Sequence, residues 1–189
     1  QVMIKQGDVI PGNMYFTTTR LHQELAGGRF VDVIIKEAHD PASEHPFKGN
    51  VDLEKLEALI NEVGPEKIPY VSLAGTVNMA GGQPVSMANV RDLWALAHSY
   101  DIRVYLDATR MVENCFFIQE REDGYADKPV AEILKEFCGY TDGAWMSAKK
   151  DNLVNIGGWL ALNHEDTFDA TRNLVVVYEG LHTYGGMAG

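Results

Sequence analysis

Short apolar runs of β type alternate along this chain with longer stretches of helical periodicity, and few folds accept that pattern. Strands are expected over Asn13–Thr17, Phe30–Ile35, Tyr70–Thr76, Ile102–Asp107, Gly143–Ser147 and Gly158–Leu162. Helices are expected over Asp52–Val63, Ser86–Tyr100, Val130–Cys138 and Glu165–Leu174. Asp52 has the side chain of an N-cap, and Leu53, Leu56, Leu59 and Ile60 form an apolar stripe behind it. Gly64-Pro65 stops that helix. Ser86 is placed to cap the next, whose Val90, Leu93, Trp94 and Ala97 share a face. Strands separated by helices run parallel, because a parallel pair needs a crossover longer than a hairpin turn. The expected architecture is α/β, with a three-layer, mostly parallel sheet carrying helices on both faces. Ala38–Asn50 is expected to be a crossover loop. In such sheets ligands gather beyond the carboxyl ends of the strands.

The charge balance removes several function classes. A formal net charge of −11 speaks against nucleic acid as a partner, since phosphate neutralisation needs clustered Lys and Arg. No apolar run is long enough to span a bilayer and no secretory signal precedes the first strand, so no membrane partner is expected. Cys115 and Cys138 lack metal or redox spacing, which fits free thiols in a reducing cytoplasm. His22, His39, His45, His98, His164 and His182 also lack the spacing of a zinc site. Gln1 at the start and the glycine-rich Tyr184-Gly185-Gly186-Met187-Ala188-Gly189 at the end suggest a piece of a longer polypeptide.

Three expected strand ends carry polar clusters: Thr76 to Pro84, Asp107-Ala108-Thr109-Arg110, and Ser147-Ala148-Lys149-Lys150-Asp151. If the strands are parallel neighbours, Asn78, Asp107, Arg110, Ser147 and Lys150 meet on one rim. Taken singly, each cluster has an ordinary reading. An Asp after a strand is often a cap or turn residue, and a Lys-Lys pair is usually solvated charge. Gly81-Gly82 serves equally as a turn, and Trp145 and Trp159 read as core. The combination is more specific. A Schiff-base enzyme needs a lysine nucleophile at the rim, which Lys150 provides. It also needs an acid to pair with a pyridinium nitrogen, which Asp107 provides. Ser147 stands three residues before Lys150, a spacing suited to a phosphate contact.

Four runs carry a resemblance in the same order: Pro11-Gly12-Asn13-Met14-Tyr15-Phe16-Thr17-Thr18-Thr19-Arg20, Asn78-Met79-Ala80-Gly81-Gly82-Gln83-Pro84-Val85-Ser86, Asp107-Ala108-Thr109-Arg110, and Ser147-Ala148-Lys149-Lys150-Asp151. The chain resembles the β-eliminating lyases, the family of tyrosine phenol-lyase and tryptophanase. The likeness continues through Val177-Tyr178-Glu179-Gly180 to Tyr184-Gly185-Gly186. It implies the large domain of a pyridoxal 5′-phosphate (PLP)-dependent transferase of fold type I, the aspartate aminotransferase-like kind. Residues 1–189 would form part of that one domain, with a phosphate-cradling segment before them and a small domain after them.

The resemblance also implies roles. Lys150 would hold PLP covalently and later move the substrate's α-proton. Asp107 would pair with the ring nitrogen, Asn78 and Arg110 would contact the ring oxygen, and Phe16 would stack on the ring. Ser147 would touch the phosphate. Thr17 would sit beside the aromatic leaving group, and Lys149 would order water or substrate. The backbone carbonyl of Asn155 would help bind a K+-like monovalent cation. Family members are homotetramers, which the complete protein is expected to match.

The implied reaction is β-elimination of an aromatic amino acid. Phe16-Thr17-Thr18-Thr19-Arg20, Thr76-Val77-Asn78 and Asp107-Ala108-Thr109-Arg110 favour L-tyrosine, cleaved to phenol, pyruvate and ammonia. Ser147-Ala148-Lys149-Lys150 is the tryptophanase-like form, with Ala148 where the phenol-releasing members carry Gly, so release of indole from L-tryptophan is the alternative. A non-catalytic binding module is the second alternative, and a sister PLP enzyme such as an aldolase or desulfurase the third. Gly75, Trp159 and Leu181-His182 depart from the family pattern. Gly75 is expected to loosen its strand by roughly 0.5–1 kcal/mol.

Overall fold

A computed structural model describes residues 2–179. The chain runs β1 (Val9–Gly12), α1 (Thr17–Leu25), β2 (Arg29–Asp32), α2 (Leu53–Val63), β3 (Val71–Ala74), α3 (Met87–Ser99), β4 (Val104–Asp107), α4 (Met111–Arg121), α5 (Val130–Cys138), β5 (Gly143–Ser147), β6 (Gly158–Leu162) and α6 (Glu165–Glu179). The strands form one sheet in the order β2-β1-β3-β4-β5-β6. All neighbours are parallel except β6, which returns antiparallel to β5.

The caps read from the sequence are made. The Asp52 carboxylate accepts from the Lys55 amide at 3.0 Å, and the Ser86 hydroxyl accepts from the Asn89 amide at 3.1 Å. Leu56 and Ile60 of α2, and Val90, Leu93 and Ala97 of α3, are buried. They join Val71, Leu73, Val104 and Leu106 of the sheet, and Ile118, Ile133 and Phe137 of α4 and α5, in one apolar core. Each of the Val, Leu, Ile and Phe side chains contributes about 1.5–3 kcal/mol by leaving water. Alternate strand residues, including Ile10, Ser72 and Tyr105, are also buried but lie outside that core, on the other face. There Tyr70 and Tyr105 meet edge to face at 5.5 Å, and Gln23 of α1 donates to the Tyr70 hydroxyl at 3.2 Å. The central strands are thus covered on both sides.

Two elements differ from the sequence reading. Asn13–Thr17 is not a strand. The strand lies earlier, at Val9–Gly12, and Thr17 opens α1. Three threonines favour β structure, but the burial of Gln23 and the Arg20–Glu24 pair at 2.7 Å accompany a helix. Helix α4 was not expected, although Met111, Cys115 and Ile118 form its buried stripe with Asn114 among them. Of the family-like features, Gly180, Leu181-His182 and the Tyr184-Gly185-Gly186 turn lie outside the described residues.

Candidate active site

Strand register places the rim. Ala74 of β3 pairs with Asp107 of β4, and Asp107 pairs with Trp145 of β5, so three carboxyl ends stop side by side. At the β3 end, Asn13 is fully buried and clasps the neighbouring backbone. Its amide donates to the carbonyls of Ala74 and Gly49, both at 2.9 Å, and its carbonyl accepts from the Ala74 amide at 2.7 Å. Beyond Ala74 the chain makes a tight turn at Asn78–Ala80, closed by Gly81 and Gly82 with φ of 82° and 78°. Glycine takes that left-handed geometry without a Cβ penalty. The glycine pair is therefore a turn that holds Asn78 at the edge of the rim.

A cleft of about 140 Å³ opens over these ends. It is lined by Phe16, Asn78, Asp107, Arg110, Ser147 and Lys150, six of the residues marked in the sequence. Tyr15, Thr18, Thr19, Thr76, Thr109 and Trp145 line it as well, and the sequence reading gave none of them a role. Trp145 is half-buried at the cleft and Trp159 is 43% exposed on β6, so neither is core. Thr76 is buried, and its hydroxyl has no partner among the described residues.

Hydrogen bonds join the two strand ends that carry the acid and the amine. The Thr109 amide donates to Asp107 Oδ1 at 3.1 Å, a short Asx-type turn. The Ser147 amide donates to the Thr109 hydroxyl at 3.1 Å. Lys150 Nζ donates to the Ser147 hydroxyl at 3.2 Å. Lys150 itself sits in the hairpin connection between β5 and β6, whose base is closed by the Ala148 amide donating to the Gly157 carbonyl at 2.9 Å. Asp107 Oδ2 accepts nothing among the described residues, so one carboxylate oxygen stays available at the cleft.

Three other marked residues lie apart. Thr17, the first residue of α1, is exposed and does not line the cleft. Lys149 is exposed beside the half-buried Lys150. Asn155 is exposed in the same hairpin connection, away from the cleft lining. Gly75 also needs a new account. A Cβ there would stand 2.5 Å from the Met111 sulfur of α4, which is itself buried. Gly75 lies just past the end of β3, so it loosens no strand, and glycine here makes room for the helix. Gly75→Ala is expected to cost about 1–2 kcal/mol through overpacking. Urea unfolding would register it as a lower midpoint at unchanged slope.

The family profile described as Beta-eliminating lyase matches residues 1–187. Tyrosine phenol-lyase of Nostoc punctiforme is 70% identical over 189 residues, covering 100% of this chain and 40% of that protein. Tyrosine phenol-lyase of Symbiobacterium is 64% identical, over 100% of this chain and 41% of the relative. This chain thus spans about 40% of the length of the curated relatives it matches. Among solved structures, a candidate L-allo-threonine aldolase from Listeria monocytogenes EGD-E superposes with a TM-score of 0.63 at 18% identity, over 92% of this chain and 41% of that one. The last likeness speaks for the fold alone.

Proposed function

Since the chain belongs to the β-eliminating lyase family, we propose that it supplies the lysine-bearing side of a PLP site, and that the complete protein cleaves L-tyrosine to phenol, pyruvate and ammonia. The observation that carries this reading is the meeting of one amine and one carboxylate, Lys150 and Asp107, on a single cleft. The donor set fits PLP. Asp107 has an oxygen to spare for a ring nitrogen, Ser147 a hydroxyl for phosphate, and Asn78 and Arg110 donors for a ring oxygen. Phe16, 37% exposed at the cleft, offers an aromatic face for stacking.

When bound, PLP supplies the electron sink that lets a proton leave the substrate's α-carbon. The chain's own residues do the rest. Lys150 would supply the amine that holds the cofactor covalently, and the same amine would take the proton from the substrate's α-carbon. Asp107, with an oxygen free at the cleft, would pair with the ring nitrogen. Arg110, on the cleft lining, would donate to the ring oxygen and balance negative charge there. Thr17 and Lys149 are proposed to meet the substrate from the cleft's margin. Asn155 is proposed as a K+ ligand, and its carbonyl accepts no hydrogen bond among the described residues.

Ala148, the residue that favours tryptophanase, is buried and does not line the cleft. Tyrosine is the better-supported substrate. Pyruvate release by the full-length protein from L-tyrosine, L-tryptophan and a cysteine conjugate decides the matter. We expect L-tyrosine to lead by about tenfold or more in kcat/KM, in line with rejection of a partner that leaves polar groups unpaired. A lead for L-tryptophan would move the protein to the indole-releasing branch.

The complete protein is proposed to be a homotetramer, and the exposed apolar Leu21, Leu25, Val112 and Phe116 are available for contacts between copies. No described helix is long and apolar enough to cross a membrane. A cytoplasmic setting is proposed from the two free cysteines. Burial pushes the Cys115 thiol up to about 12, so it stays protonated and inert.

A further inference from the structure

The hairpin connection that carries Lys150 is tied to the rest of the rim at two points. One is the base of the hairpin, at Ser147 and Gly157. The other is Asp151, the residue after Lys150. Its Oδ2 accepts from the Val112 amide at 2.8 Å, across 39 residues of sequence. Val112 is in the first turn of α4, where amides have no partner within the helix and the helix dipole favours an anion. The N-cap of that helix is Arg110, and its side chain offers no capping bond. Among the described residues, no other side-chain hydrogen bond joins the 148–157 connection to α4.

We propose that Asp151 is a positioning residue: it clamps the lysine-bearing connection to the start of α4 and so fixes Lys150 relative to Arg110 and Asp107. The proposal rests on the reading of Lys150 as the covalent anchor of PLP. The physical reason is mechanical. A ten-residue connection held only at its base leaves its third residue, Lys150, free to swing, and side-chain placement to within about half an ångström is what such a site requires. The Asp151 bond sits one residue from the amine and one residue from α4's Met111. It closes a ring that runs from Asp107 through Thr109 and Ser147 to Lys150, and back through Asp151 to the helix that begins after Arg110.

The test uses the full-length holoenzyme and three variants: Asp151→Ala, Asp151→Asn and Lys150→Ala. Asparagine keeps an oxygen for the Val112 amide but removes the charge, whereas alanine removes both. The readouts are the rate at which bound PLP is lost on dilution into cofactor-free buffer, visible circular dichroism of the bound ring, and the thermal midpoint of the apoprotein. Asp151→Ala is expected to release PLP about tenfold faster with an altered dichroism signal, and Asp151→Asn to stay within about threefold of the parent.

Equal effects of the two Asp151 variants would mean that charge matters and the clamp does not, which overturns the proposal. So would a lowered thermal midpoint with release and dichroism unchanged, since that is a helix cap and nothing more. Lys150→Ala separates the two levels. If it loses covalent attachment while Asp151→Ala behaves as the parent, the clamp alone fails. If it keeps attachment, the anchor reading fails and the clamp goes with it.

Discussion

If the proposed function holds, replacing Lys150 by alanine in the full-length protein is expected to abolish covalent attachment of PLP and to lower turnover by about a thousandfold or more, since it removes the proposed nucleophile and proton carrier. The fold is expected to survive. Lys150 lies in a hairpin connection, is half-buried, and among the described residues its amine makes one hydrogen bond, to the Ser147 hydroxyl. A surface-loop change of this kind moves stability by about 0.5 kcal/mol or less. Lys149→Ala is the paired control. That side chain is exposed, so its variant is expected to keep the cofactor's visible absorbance. Spectra of the two holoproteins, taken with their urea midpoints, separate loss of the anchor from loss of the fold. An unaltered spectrum in Lys150→Ala would remove the basis of the enzymatic reading.

Asn13→Ala is expected to have the largest effect on stability. Asn13 is fully buried and answers three backbone groups: the Gly49 carbonyl, the Ala74 carbonyl and the Ala74 amide. Alanine leaves all three without that partner. At about 1–3 kcal/mol for a buried group left unpaired, with the half-buried Ala74 groups at the lower end, the expected cost is about 3 kcal/mol. Set against a total stability of about 5–15 kcal/mol, that is a large share. Asn13→Asp is expected to fare no better, because an ionised carboxylate cannot donate to either carbonyl. Denaturant unfolding of both variants gives the measurement, and a cost under about 1 kcal/mol would show that neighbouring groups rearrange to cover the gap. The functional consequence follows from position. Asn13 holds the end of β3, from which the chain runs on to Thr76 and Asn78 at the cleft.

Much of this was legible before any fold was known. The helices at Leu53–Val63, Met87–Ser99 and Val130–Cys138 follow from apolar stripes and from Asp52 and Ser86, whose short polar side chains suit free helix amides. Strands β5 and β6 have the bounds that their apolar runs imply. Helix α1 was not legible. Its threonines speak for a strand, and contacts of Gln23 with residues far along the chain accompany the helix. Helix α4 is a different case, because its stripe is in the sequence and was masked by the polar run that precedes it.

By itself the sequence determined the periodicities, the caps and the presence of an acid, an amine and a hydroxyl after successive strands. These are properties of residues close in the chain, where propensity and side-chain type decide. Only the tertiary structure decided which of them meet. The register Ala74–Asp107–Trp145 brings Asp107 to the same cleft as Lys150, while Lys149 beside it faces solvent. Asn13 on Ala74, Met111 under Gly75 and Asp151 on Val112 pair residues separated by 61, 36 and 39 positions. Contacts at such separations depend on how strands and helices stack in three dimensions, and no local pattern encodes that.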